Sequence, residues 1–302
     1  MADRLKIIGL GEILWDVFPD GPHFGGAPAN FVCSVAELSN GSADALMIGS
    51  VGNDPLGQKA IAMLQRHGVD THGVSIATQP TGKVLVALDA AGCPSYEIAT
   101  DTAWDNIAWS VDLAQLAAAA NAVCFGTLAQ RSAVSRRTIQ EFVKGTREDC
   151  LRIVDINLRA PFWTEPVLRE SLTLANVLKL NDAELLVLAE IFGWNRLSER
   201  DVLGKLLDTF SLNVIALTRG AAGATLFNAA GERSDLPSVH VNVTDTVGAG
   251  DAFTAALAIG LLGKLPLEAI NSWAIRVAGF VCSRPGGTPH FPPELHAAKL
   301  GS

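Results

Sequence analysis

At 302 residues, 49% of them hydrophobic, the chain can bury a large core, and its length allows one large α/β domain or two smaller ones. It carries 31 acidic against 23 basic side chains and a net charge of -8, which excludes a broad electrostatic grip on nucleic acid or an anionic membrane and leaves small molecules as the expected partners. Five scattered cysteines without a C-x-x-C pair, no apolar run of the roughly 18 residues a membrane span needs, and too short an apolar run in "MADRLKIIGLGEILWDVF" for a signal peptide exclude a disulfide framework, a thiolate zinc site and an anchor, and predict a cytoplasmic location.

In chain order, "LKIIGLGEIL" is a β-branched and aliphatic run that predicts a buried strand. Comparable runs follow at "ADALMIGSVG", "NAVCFGT", "LRIVDINL", "VLKLN" and "NVIALTRG", with helical segments such as "PLGQKAIAMLQRHG" and "TEPVLRESLTLA" between them. Strands alternating with helices imply right-handed crossovers, hence an α/β fold with a mostly parallel sheet covered on both faces. The segment "KVLVALDAAGCPSYEI" behaves differently: Val84, Val86 and Leu88 alternate, a turn holds Gly92 and Pro94, and Tyr96 and Ile98 resume the alternation. A hairpin follows, either a small lid over a cleft or an antiparallel edge of the main sheet.

Several familiar chemistries are absent. No G-x-x-x-x-G-K-[ST] is present, "GLGEIL" lacks the third glycine of a dinucleotide fingerprint, and there is neither H-E-x-x-H nor G-x-S-x-G. The strongest local signal is "TDTVGAGDAFT" at 244–254, followed by Phe253, Leu257 and Leu261 four apart on one helical face. Gly248, Ala249 and Gly250 then form the turn before a helix and Asp251 stands in its first turn. Free N–H groups and the helix dipole make such a place a site for an anion, and an aspartate there can accept a hydroxyl proton. The same dipole is expected to hold Asp251 ionised. On these residues alone, a plain glycine turn with a dipole-matched acid is the competing explanation.

"DTVGAGDAF" resembles the C-terminal signature of the ribokinase-type (PfkB) carbohydrate kinases, and "GGAPANFVCSVAEL" with "IGSVGNDPLGQ" resembles that family's N-terminal signature. "KLNDAE", "ALTRGAAGATLF" and "CSRPGGTP" also match, so the resemblance covers nearly the whole chain. It implies a single ribokinase-like three-layer α/β/α domain over 1–302, with a small β lid from segments near 13–25 and 80–105. It also implies ATP-dependent phosphorylation of a sugar hydroxyl with Mg2+. "GEILWDVFP", "GGAPANF", "PSYEI", "AWDNI", "GTLAQRS" and "DINLRAPFW" are most similar to bacterial fructokinases, which implies D-fructose as acceptor. Rival expectations are ribose, 2-keto-3-deoxygluconate or a nucleoside as substrate, or a sugar-binding protein of the same fold without catalysis.

By the same resemblance, Asp251 is the base, and Gly248, Ala249 and Gly250 form the hole for the moving phosphoryl group. Asp16, Gly25, Gly26 and Asn30 hold the sugar, and Arg159 touches both sugar and phosphate. Asn181 and Glu184, the N-x-x-E of "KLNDAE", organise hydrated Mg2+, with Glu184 acting through water. Thr218, Gly220 and Gly223 contact ATP. Asp245 and Val247, with the turn at Arg284 and Gly286, hold a monovalent cation, potassium. Two copies are expected to pair through the lid. Read without the family, Asp16 serves equally as a turn residue, Asn30 and Asn181 as helix caps, Arg159 as half of a surface ion pair, and the 218–223 run as a tight turn between strands.

Overall fold

The computed structural model describes residues 4–19, 21–88 and 94–297. The turn expected at Gly92 lies outside them, as does Cys93, and so do the side chains of Val86, Leu88 and Tyr96. In chain order the strands are β1 (Leu5–Leu10), β2 (Leu14–Phe18), β3 (Gly21–Gly25), β4 (Ala43–Gly52), β5 (Asp70–Ala77), β6 (Gly82–Leu88), β7 (Pro94–Ile98), β8 (Ala122–Phe125), β9 (Leu151–Asp155), β10 (Val177–Asn181), β11 (Val214–Thr218), β12 (Ala224–Asn228) and β13 (Arg233–Leu236). The helices are α1 (Ala27–Leu38), α2 (Pro55–Arg66), α3 (Val111–Ala119), α4 (Ala133–Lys144), α5 (Glu165–Leu174), α6 (Asp182–Ile191), α7 (Glu199–Phe210), α8 (Ala249–Leu262) and α9 (Leu267–Cys282). No helix among the described residues is long and apolar enough to cross a membrane.

Nine strands form one sheet in the order β13-β12-β11-β10-β9-β8-β1-β4-β5. All neighbours pair in parallel from β11 to β5, and only β12 and β13 run against their partners. Alternate residues of β1, β4, β8 and β11 feed two separate cores. Ile7, Met47, Cys124 and Ala216 join Phe31 of α1, Leu64 of α2, Phe253 of α8 and Val277 of α9. Ile8, Ile48, Phe125 and Leu217 join Leu113 of α3, Phe142 of α4, Leu172 of α5, Leu188 of α6 and Leu206 of α7. The molecule is therefore a three-layer α/β/α sandwich whose sheet is buried on both faces, as parallel sheets require. After β1 the chain first builds outward through β4 and β5, then resumes on the other side of β1 with β8. That reversal opens a crevice at the carboxyl ends of β1 and β8, where ligands bind in open α/β sheets.

The hairpin is not an edge of this sheet. β6 and β7 pair antiparallel and join β2 and β3 in a second sheet of order β3-β2-β6-β7. The opening apolar run thus serves two sheets: β1 ends at Leu10, and Leu14 already belongs to the second one. Asp16 accordingly lies inside β2 rather than in a turn after the first strand. The return from the small sheet is fastened by Arg131, whose guanidinium donates to both carboxylate oxygens of Asp105 at 2.7 Å and to the Ala99 carbonyl at 2.6 Å while lying 3.8 Å over the Trp104 ring. Two words quoted from the sequence, "AWDNI" and "GTLAQRS", meet in that clamp.

Candidate active site

The start of α8 faces the crevice. Gly248, in the left-handed conformation at φ 76°, is the residue just before the helix, and a Cβ there would collide with the Gly287 carbonyl. Ala249 and Gly250 are already helical, so the preceding turn is shorter than the sequence suggested, because Gly248 alone supplies the left-handed step. Asp251 is the third helical residue. Ala249 and Ala252 donate to Thr246 and Gly248, whereas the amides of Gly250 and Asp251 find no acceptor among the described residues. Two free donors at the positive end of a helix dipole form an anion site.

Asp251 Oδ2 accepts a 2.8 Å hydrogen bond from Asn30 Nδ2. Asn30 lies in the first turns of α1, which begins after Gly26, so it is not that helix's cap. Its Oδ1 is buried without a partner among the described residues, an acceptor left free beside Asp251 and Gly287. Asp16 reaches this region from β2: a Cβ on Gly25 would lie 2.6 Å from Asp16 Oδ2, so the carboxylate occupies space that only glycine leaves. Burial pushes the Asp16 carboxyl up to about 6, against the lowering charges of Arg159 and His23.

Three ionisable groups that sequence reasoning missed complete the cluster. Glu12, in the β1–β2 connection, is 3% exposed, and its Oε2 has no partner; burial drives its pKa up to about 7, with the Asp251 charge adding to the rise. Asp155, at the end of β9, pairs with Lys179 of β10 at 3.0 Å and accepts from Thr254 of α8 at 3.3 Å. Lys179 is buried, which by itself lowers its pKa, but the carboxylates of Asp155 and Glu184 override that and raise it, so it stays a cation. It stands beside Gly250, where a Cβ would meet its Nζ at 3.0 Å. Glu12, Asp155, Asp251 and Thr254 line one cavity.

Asp251 itself departs from the expected charge balance. Burial, followed by the neighbouring Asp155 charge, raises its carboxyl to about 6, outweighing the Asn30 bond and the charges of Lys179 and Arg159. It is ionised at neutral pH yet a markedly better base than an ordinary aspartate.

The remaining predicted residues fall into three groups. Asn181 caps α6: its side chain accepts from the Glu184 amide and Glu184 accepts from the Asn181 amide, both at 2.8 Å, while Glu184 also accepts from Leu158 at 2.9 Å. The N-x-x-E pair is a capping box in which each Glu184 carboxylate oxygen accepts one backbone amide. Thr218 ends β11, and Gly220 opens the turn to β12 with nothing within 4 Å of its Cβ position, whereas a Cβ at Gly223 would strike the Leu236 carbonyl. Gly223 is thus a packing requirement, and only Gly220 borders open space. Arg159 is exposed, its Nη1 donating to the Leu158 carbonyl at 3.2 Å; it forms no ion pair among the described residues, but its charge lowers Glu12, Asp16 and Asp251. Finally, Asp245 accepts from the amides of Val247 at 3.0 Å and Gly286 at 3.1 Å, tying the segment before α8 to the turn after α9, while Arg284 stacks 5.2 Å over Phe280.

A raised carboxylate base, two free helix-start amides and a buried lysine in one crevice form apparatus for moving a proton while stabilising a transferred anion, the work of a phosphotransferase. Residues 21–294 match the model of the pfkB family of carbohydrate kinases, and the chain belongs to that family: it is a sugar kinase. It is 34% identical over 256 residues, covering 82% of this chain and 76% of the relative, to the sugar kinase PH1459 of Pyrococcus horikoshii. The solved structure of that protein with ATP covers 94% of both chains at TM-score 0.75 and 29% identity. A fructokinase of Klebsiella pneumoniae is 31% identical over 273 residues, 85% of this chain and 84% of its own. A fructokinase of Vibrio cholerae O395, solved with fructose, ADP and a calcium ion, shares the fold at TM-score 0.77 over 95% of both chains with 22% identity.

Proposed function

We propose that the protein transfers the γ-phosphoryl group of ATP to D-fructose, giving fructose 6-phosphate in the cytoplasm. The observation that carries this reading is Asp251, a carboxylate held by Asn30 beside the two free amides at the start of α8. Asp251 orients the attacking hydroxyl and takes its proton as the new P–O bond forms. In a loose phosphoryl-transfer transition state that proton becomes acidic late, so a base with a pKa near 6 suffices and positioning dominates. Gly250 and Asp251 amides, just after Gly248 and Ala249, receive charge on the moving oxygens, and Lys179 adds a fixed positive charge beside them.

Asp16 and Asn30 bind sugar hydroxyls, Asp16 through its carboxylate and Asn30 through its free carbonyl oxygen, with Gly25 and Gly26 admitting the ring. Arg159 reaches sugar and phosphate. The nucleotide lies along Thr218 and Gly220. The donor set, with Glu184 its one carboxylate, fits Mg2+ held mainly through water, since that ion usually keeps several waters; when bound, the ion would neutralise phosphate charge. Asp245, Val247 and the carbonyls around Arg284 and Gly286 hold potassium, and two copies pair through the small sheet. Support for fructose comes from the fructokinases among the relatives and from the shared words of sequence. A coupled ADP-release assay over a sugar panel tests it. Fructose is expected to give the highest kcat/KM; a clearly higher value for ribose, 2-keto-3-deoxygluconate or adenosine overturns the substrate, and no ADP release with any acceptor overturns the catalytic reading.

A further inference from the structure

Away from the crevice, three side chains from three parts of the chain meet on one point. Glu37 lies in the last turn of α1, His67 directly follows α2, and His290 belongs to the tail after α9. Glu37 Oε1 is 2.6 Å from His67 Nδ1 and 2.7 Å from His290 Nδ1, and Oε2 accepts the Phe291 amide at 2.9 Å. The imidazole rings face each other at 5.2 Å with an interplanar angle of 31°, and the three donor atoms lie within 4.8 Å of one another. The His67 side chain is 5% exposed, that of Glu37 14%, and that of His290 82%.

We propose that Glu37, His67 and His290 form a binding site for a borderline divalent transition-metal ion, of which Zn2+ is the representative. Two imidazole nitrogens and one carboxylate oxygen are a donor set suited to zinc, and the exposed side of His290 leaves a fourth position for water. The present hydrogen bonds already aim both Nδ1 atoms at a common point. When a neutral imidazole carries its proton on Nε2, the Nδ1 lone pair takes the direction the N–H now has, so the ion gains two nitrogen ligands without net proton release; imidazoles that begin protonated each release one proton. Nothing in this cluster touches Asp251 or its neighbours. It does anchor the tail: three residues before His290, Gly287 packs against Gly248 and Asn30, and Gly286 donates to Asp245. An ion bound here fixes the far end of the strap that covers the start of α8.

The test uses the full chain, freed of metal by chelation and dialysis and kept free of nucleotide, titrated with Zn2+ by calorimetry and with Co2+ by visible absorption. One Zn2+ per chain in the micromolar range or tighter, four-coordinate Co2+ bands and a raised Tm are expected. His290→Ala changes an exposed side chain and keeps the fold; it is expected to weaken binding by at least about tenfold and to abolish the Co2+ bands. Asp251→Ala and His72→Ala, which remove the active-site carboxylate and the surface Asp70–His72 pair, are expected to leave binding unchanged. Binding no tighter than about millimolar, or binding that survives His290→Ala and disappears in either other variant, overturns the site.

Discussion

Asp105 and Asp251 are both carboxylates set into the fold, and they are treated in opposite ways. Asp105 accepts two bonds from Arg131 and two from Thr102, one from its amide and one from its hydroxyl. Asp251 accepts one, from Asn30, and shares its cavity with Glu12, whose Oε2 has no partner. Burial is expensive for a charge unless hydrogen bonds complete it, so the finished carboxylate marks a place where the fold is held together and the unfinished one a place where something is to be bound. The first fastens the small sheet to the body; the second waits at the crevice.

The largest expected effect of breaking this contrast is on chemistry. Asp251→Ala is expected to lower kcat roughly 10²–10⁴-fold while leaving sugar and nucleotide affinity within a few-fold. Steady-state kinetics, calorimetry and a thermal melt check it; near-normal kcat in the folded variant would return Asp251 to an ordinary helix-start residue. At the other carboxylate the loss is in stability. Arg131→Ala leaves Asp105 buried and unpaired and is expected to cost about 3–5 kcal/mol, and adding Asp105→Asn to it should restore part of that. Denaturant unfolding of the single and double variants measures both; equal stability in all three proteins would remove the clamp.

Glu12→Gln sharpens the comparison from inside the site. The folded Glu12 pKa of about 7 lies above its ordinary 4.5, so the folded state holds the proton more tightly. This contribution to stability is complete below pH about 4.5 and is lost as pH rises through about 7. The variant is therefore expected to be more stable than the native chain by on the order of 1–3 kcal/mol at pH 8 and no different at pH 4, as unfolding curves at the two pH values will show. The smallest effect is kinetic. With Asp251 near 6 in the free protein, kcat/KM should fall about tenfold between pH 7 and pH 5 as the base takes up its proton. A flat profile over that interval would mean that the ionised carboxylate is not required.

The layers were legible in the sequence because each buried parallel strand is a short aliphatic run bounded by glycine or a polar residue, as at "NAVCFGT" and "VLKLN". The helix-start glycines and Asp251 were legible because they stand together in nine residues. Glu12, Asp155 and Lys179 were not. Each is a single ionisable residue inside or beside an apolar run, and what brings them together is the lateral order of strands β1, β9 and β10, which has no trace in local spacing. The N-x-x-E pair was legible for the opposite reason: a capping box obeys a local rule, and its letters say cap before they say metal. The raised pKa of Asp251 was not legible, since the dipole of its own helix is visible in the sequence and the burial imposed by α1 and the sheet is not.

The long α8 helix carries this one acid at its entrance and is buried through nine consecutive residues, Ala252 to Gly260, packed between α1 and α9. A helix enclosed on all sides can neither tilt nor fray without opening the core around it. The base is thus mounted on one of the least compliant parts of the protein. The amides of the helix's buried turns should therefore be among the last to exchange with heavy water, while those of Gly250 and Asp251 at its mouth stay open.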